Sequence, residues 1–132
     1  MMYNKLSIYI IHKGKAYQLI LLLTGLILTV SIETPTAWFF GYRSRNEIAA
    51  VALASVVTNP PLNYIIAVCA TFDLVKIDFT FILALEAAVV AVEWRILLYA
   101  LGGDSRRHFK TSLIMNAISF LFGLWLFHPH SV

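Results

Sequence analysis

Two adjacent prolines, Pro60 and Pro61, lie inside an apolar run from Ile48 to Ala70 that is long enough to cross a lipid bilayer. Proline lacks a backbone N–H and its ring collides with the carbonyl one turn earlier, so a straight helix is not expected here. Asn59 is a good N-cap residue and would place Pro60 at the first position of a restarted helix. The sequence therefore predicts a membrane helix broken at Pro60-Pro61, whose freed backbone groups face protein or a watery cavity.

The composition indicates an integral membrane protein. Hydrophobic residues make up 60% of the 132 residues and mean hydropathy is +0.79, values above those of a soluble domain. We predict an all-α fold in one membrane domain, residues 1–132, with four transmembrane helices. Basic residues lie in short loops and the net charge is only +3, which argues against a nucleic-acid partner. The predicted spans cover residues 16–40, 47–70, 79–101 and 109–127.

Residues 1–15 are predicted to form an interfacial N-terminal arm. They carry three lysines, and their apolar stretch from Leu6 to Ile11 is too short to span a bilayer. The apolar run from Leu19 to Val30 is followed by no clear cleavage site, so we interpret it as part of the first span.

The two halves of the sequence show features in the same order. Glu33 and Glu93 each precede a glycine and a basic loop, and the next span carries Asn59 or Asn116. The glutamates are 60 residues apart and the asparagines 57, a difference that loop length explains. This order predicts two parallel-repeated helical hairpins, related by an axis normal to the membrane. The distribution of Lys and Arg between the two sides favours both termini outside, in a cell or inner membrane.

Polar side chains at membrane depth mark the predicted transport site, because charges there are costly and usually functional. Glu86 and Glu93 are seven residues apart and share one face of the third helix. Pro35 frees the carbonyl of Ser31 beside Glu33, and such carbonyls suit hard cations or protons. Glu33 and Glu93 are expected within about 6 Å of each other, one holding a proton when no cation is bound. The predicted site residues are Glu33, Asn59, Asn63, Glu86, Glu93 and Asn116, with Pro35, Pro60 and Pro61 as helix breaks.

The same side chains also have structural interpretations. Asn59 can cap the restarted helix, and Asn63, Asn116 and Ser119 can form ordinary hydrogen bonds between helices. A protonated Glu86 or Glu93 would be another purely structural solution. Glu33 can pair with Arg95, or be held by the partial positive charge of the restarted helix N-terminus. A helix N-terminus can also bind an anion, but the number of carboxyl groups favours a cation.

We expect a small membrane transporter or channel for a cation, a proton or a small solute. The alternative is a non-catalytic accessory or assembly subunit of a larger membrane complex. The chain shows no phosphate-binding loop, metal-ligand motif or nucleophile elbow, so we predict no enzyme activity, no cofactor and no metal centre. The expected partners are the lipid bilayer and either a second copy, giving a homodimer, or other membrane subunits.

Overall fold

The computed structural model describes residues 2–127, which form four α-helices and no strand. Each helix packs against its neighbours in chain order, and the first also packs on the fourth, so the helices form a closed four-helix bundle. The helices are α1 (Met2–Phe39), α2 (Arg45–Phe72), α3 (Phe79–Leu101) and α4 (Ser105–Phe127).

Three of the four helices are long and apolar enough to cross a membrane, as expected for a multi-pass membrane protein. These segments are Leu22–Phe39 in α1, Arg45–Phe72 in α2 and Ser105–Leu126 in α4. Helix α3 also has 23 residues, but Glu86, Glu93 and Arg95 lie along its middle, so it has no membrane-length stretch with few charges.

The N-terminal residues continue directly into the first apolar segment. Helix α1 has 38 residues, which corresponds to a length of about 57 Å. The hydrocarbon core of a bilayer is only about 30 Å thick, so part of α1 would extend beyond it. The location of residues 1–15 at the membrane interface stays a prediction, and Met1 lies outside the described residues.

The predicted break at Pro60-Pro61 is not seen, because α2 is one helix through both prolines. Asn59 does not cap a new helix. Its Nδ2 atom instead donates to the carbonyl oxygen of Ser55, 3.0 Å away, inside the same helix. Pro60 and Pro61 cannot donate to the carbonyl oxygens of Val56 and Val57, yet α2 continues through them while packed against both α1 and α3. Pro35 likewise lies inside the uninterrupted α1.

Local signals set the ends of the helices. Gly41 follows α1 with a φ of +90° and Gly102 ends α3 with a φ of +63°, a conformation that glycine adopts without steric cost. Asp78 is the N-cap of α3 and accepts a hydrogen bond from the N–H of Phe81. Helix α2 begins after Ser44, which forms a capping box with Glu47.

Loss of this capping box gives a local test of the fold. Ser44 Oγ accepts from the N–H of Glu47 at 3.2 Å, and a Glu47 carboxyl oxygen accepts from the N–H of Ser44 at 3.0 Å. Ser44→Ala is expected to lower the free energy of unfolding by about 1 kcal/mol, measured by reversible unfolding in mixed micelles. Ser44→Thr keeps the acceptor and should stay close to the parent. An alanine variant as stable as the parent would show that α2 does not start at this cap.

Candidate functional site

Glu33, on α1, is fully buried and is held by hydroxyl groups from two other helices. The Ser55 hydroxyl of α2 donates to its Oε2 atom at 2.5 Å, and the Ser119 hydroxyl of α4 donates to its Oε1 atom at 3.0 Å. Both carboxyl oxygens of Glu33 therefore have partners, and all the partners are neutral side chains.

Glu93, on α3, is also fully buried and contacts the same two helices. The Thr58 hydroxyl of α2 donates to its Oε1 atom at 2.8 Å, and the Ser112 hydroxyl of α4 donates to its Oε2 atom at 3.3 Å. The Nδ2 atom of Asn116, on α4, donates to the same Oε2 atom. Helices α2 and α4 thus each supply hydrogen bonds to both glutamates.

These contacts place the two carboxyl groups close together inside the bundle. Ser55 and Thr58 are three residues apart, so they lie on one face of α2 within a single turn. Ser55 contacts Glu33 and Thr58 contacts Glu93, so both carboxyls lie against that turn. We call the connected set of side chains the polar layer: Glu33, Ser55, Thr58, Glu93, Ser112, Asn116 and Ser119.

Each of the four hydroxyls in the polar layer has a second acceptor, which is a backbone carbonyl. These carbonyls belong to Val51 for Ser55 (3.2 Å), Ala54 for Thr58 (3.0 Å), Val90 for Ser112 (3.0 Å) and Asn116 for Ser119 (3.1 Å). A hydroxyl has one hydrogen and can also accept through its oxygen. It can therefore donate to an ionised glutamate, or turn to the carbonyl and accept from a protonated one.

Basic groups do not neutralise these glutamates in the described part of the chain. The ion pair found there joins Arg107 to Glu47, with Nη2 and Oε1 3.4 Å apart. Arg95, the expected structural partner of Glu33, is exposed, and its guanidinium carbon lies 4.9 Å from the ring centroid of Trp94. The Glu33–Arg95 pair is therefore not formed, because Arg95 leaves α3 on a different face from Glu93.

A cavity of about 380 Å³ adjoins the polar layer on the side of the α2–α3 loop. All four helices contribute to its lining, and α1 and α4 supply most of it. Its polar wall consists of Thr29, Asn59, Asn63, Glu86, Asn116 and Ser119. The remaining wall is mostly apolar.

The other side of the polar layer is closed by packing near the α1–α2 and α3–α4 loops. Tyr42, Val51, Leu97 and Met115 are fully buried in one hydrophobic cluster there. The Tyr42 hydroxyl lies 2.6 Å from Nδ1 of His108, whose Nε2 atom lies 2.6 Å from the carbonyl oxygen of Gly102. Burial raises the pKa of Tyr42 above its ordinary value, so this hydroxyl stays neutral at physiological pH. Access to the polar layer from this end would require the cluster to open.

The predicted site residues divide into two groups. Glu33, Glu93 and Asn116 belong to the polar layer, whereas Asn59, Asn63 and Glu86 line the neighbouring cavity. Among the described hydrogen bonds, the Asn59 side chain reaches the Ser55 carbonyl and neither glutamate.

Sequence reasoning missed the hydroxyl groups of Ser55, Thr58 and Ser112, because such residues are common in membrane helices. A signal for two of them is present in the sequence. A serine precedes an asparagine by four residues in both α2 and α4, as Ser55 with Asn59 and Ser112 with Asn116. Residues four apart share a helix face, so both asparagines mark the face on which the serines lie.

The fold and the site together define an all-helical protein of the multi-pass membrane type, with two buried carboxyl groups at its centre. Comparisons with protein-family models, curated proteins and solved structures found no match.

Proposed function

We propose that this protein is a small membrane transporter or channel in which four spanning helices move a cation or protons past Glu33 and Glu93. The observation that carries the proposal is that every hydroxyl of the polar layer has two acceptors, a glutamate carboxyl oxygen and a backbone carbonyl oxygen. Because each hydroxyl can turn, the layer can satisfy a glutamate with or without its proton. A buried carboxyl with a purely structural role needs only one of these states.

The chemistry follows from the same contacts. When Glu33 is ionised, the hydroxyls of Ser55 and Ser119 donate to it. When Glu33 gains a proton, its own O–H can donate to one of these oxygens, and that hydroxyl turns to its backbone carbonyl. Neither state leaves a donor or acceptor of Glu33, Ser55 or Ser119 unpaired, which avoids the cost of about 1–3 kcal/mol for a buried unpaired group. Protonation and deprotonation of a carboxyl group inside the bundle thus become feasible.

The arrangement also suits access from one side at a time. The cavity reaches the polar layer from one end of the bundle, and the cluster around Tyr42 and His108 closes the other. We propose that α1–α2 and α3–α4 are repeated hairpins, each supplying a glutamate from its first helix and a Ser-x-x-x-Asn face from its second. Movement of one hairpin against the other would open the closed end. A homodimer would shield the proline-containing face of α2 from lipid.

Flux through liposomes tests this proposal. The purified protein is reconstituted, and uptake of protons and of a panel of monovalent and divalent cations is measured. Glu33→Gln and Glu93→Gln are each expected to reduce flux by at least about tenfold, since a neutral amide cannot take up and release a proton as a carboxyl group does. Both variants should fold, because the neighbouring hydroxyls can turn to accept from the new amide. Asp73→Asn, in the exposed α2–α3 loop, removes one carboxylate as a matched control and should leave flux unchanged.

Two outcomes would contradict the proposal. Glutamine variants that transport as fast as the parent would remove the carboxyls from the mechanism. A parent with no flux above empty liposomes, purified in constant ratio with other membrane proteins, would instead establish the accessory-subunit alternative.

A further inference from the structure

We infer that the cavity beside the polar layer binds a small organic cation, an ammonium group carried on an apolar body, with Glu86 as its charge partner. This inference rests on the proposed function and names the substrate class.

Glu86 supplies the negative charge. It is half-buried on α3 and lines the cavity, and it accepts no hydrogen bond among those described between residues 2 and 127. A carboxylate at this depth is costly unless a cation or polar group meets it. Glu33 and Glu93 are supplied with donors by the protein, whereas Glu86 faces open space. The unsatisfied carboxylate therefore points to a ligand that brings both positive charge and N–H donors.

The three asparagines in the wall add acceptors to this charge. The Asn116 amide nitrogen donates twice, to the Glu93 carboxyl and to the Ser112 carbonyl, so its Oδ1 atom remains as an acceptor for a ligand. Asn59 and Asn63 each donate to a carbonyl of α2, and their Oδ1 atoms have no partner among the described hydrogen bonds. The wall keeps possible donors in the second amide hydrogens of Asn59 and Asn63 and in the Thr29 hydroxyl, but the free acceptor oxygens and the Glu86 carboxylate outnumber them. It suits a donor-rich cation and disfavours an anion.

The volume and the apolar wall favour an organic cation over a bare metal ion. A cavity of about 380 Å³ would hold roughly a dozen waters at about 30 Å³ each. Hard cations need oxygen ligands on several sides, but much of this lining is carbon from Leu28, Ile32 and Leu62. Phe120 also lines the cavity, and an aromatic ring can face an ammonium group.

The cavity is connected to the glutamate pair through two side chains. Asn116 lines the cavity and donates to Glu93, and Ser119 lines the cavity and donates to Glu33. A ligand that contacts Asn116 Oδ1 would strengthen the donor that already points to Glu93, because hydrogen bonds in a chain polarise one another. Cation binding in the cavity would therefore favour the ionised glutamate.

Equilibrium binding to the purified protein in detergent tests the inference without any need for flux. The probe is benzylammonium, measured by isothermal titration calorimetry, with benzyl alcohol as its neutral counterpart. The parent is expected to bind benzylammonium saturably with one site per chain, and benzyl alcohol at least about tenfold more weakly. Glu86→Gln is expected to weaken benzylammonium binding by at least about tenfold. Asp73→Asn, which removes a loop carboxylate, should match the parent within about twofold.

A second variant guards against a Glu86 replacement that fails to fold. Leu28→Trp fills the cavity from α1 and leaves the polar layer intact, and it should abolish benzylammonium binding. Absence of binding to the parent, or binding by Glu86→Gln and Leu28→Trp as tight as by the parent, would overturn the inference. Ion or proton flux in a parent that does not bind benzylammonium would overturn the inference and leave the proposed function standing. Binding that depends on Glu86, in a protein with no flux, would support the cavity assignment and contradict the proposed function.

Discussion

Replacement of Asn116 by aspartate is expected to lower the free energy of unfolding by about 3 kcal/mol at pH 8. Asn116 is buried on α4 and its amide nitrogen donates to the Glu93 carboxyl. Aspartate would remove that donor and bring a second carboxylate into contact with the first, in a region without a basic partner among the described side chains. The cost should be smaller at pH 5, because an added proton relieves the repulsion. Reversible unfolding in mixed micelles at both pH values measures this loss in the free energy of unfolding.

A second substitution should rescue this variant. Glu93→Gln combined with Asn116→Asp exchanges the donor and the acceptor and removes one charge, so most of the lost stability is expected to return. The coupling between the two positions should be about 2 kcal/mol, larger than for sites that do not touch. Asn59→Asp is the matched control, because Asn59 directly follows Thr58 in α2 but its side chain bonds only to the Ser55 carbonyl among the described hydrogen bonds. Glu93→Gln should not rescue it.

Two results would contradict this account of the polar layer. A cost below about 1 kcal/mol for Asn116→Asp at pH 8 would mean that the new carboxylate does not meet an ionised Glu93. Equal rescue of the variants at positions 116 and 59 would mean that Glu93→Gln stabilises the bundle for an unrelated reason.

Cation uptake by the parent is expected to fall as the pH is lowered, approaching about tenfold per pH unit where one proton displaces one cation. Glu33 and Glu93 lie against one turn of α2, and neutral groups supply all their described hydrogen bonds. Under the proposed function, two such carboxylates are not expected to stay ionised together unless a cation is present, so proton and cation should compete for the pair. Initial uptake rates in liposomes, measured at a constant cation gradient between about pH 5.5 and about pH 8.5, give the slope.

The Thr58 hydroxyl allows a specific check on the source of this pH dependence. Thr58→Val keeps the shape of the side chain and removes the hydroxyl that lies within hydrogen-bonding distance of both Glu93 and the Ala54 carbonyl. It is expected to slow uptake and flatten the dependence on pH. Thr71→Val removes a hydroxyl that bonds to the Ala67 carbonyl on an exposed part of the same helix, and should behave like the parent. Uptake independent of pH in the parent would exclude competition at the glutamate pair.

Local sequence signals predicted the helices well and the proline region poorly. The predicted third span, residues 79–101, coincides with α3, and Gly41 and Gly102 lie just beyond the last residues of the first and third helices. Apolar runs separated by glycine and charge leave few other choices, since backbone groups in lipid must bond within a helix. The break predicted at Pro60-Pro61 was wrong because contacts with α1 and α3 outweigh a local preference of the chain.

The sequence by itself determined an all-helical chain of the membrane type, the number of helices and which helices carry acidic or amide side chains. It could not determine which oxygen meets which donor. Glu33 receives hydrogen bonds from Ser55 and Ser119, residues 22 and 86 positions away in the chain. Such contacts depend on the rotation of each helix about its axis, which packing against two neighbours decides. The tertiary structure therefore decided that plain serine and threonine hydroxyls surround both glutamates, and that Glu86 faces a cavity.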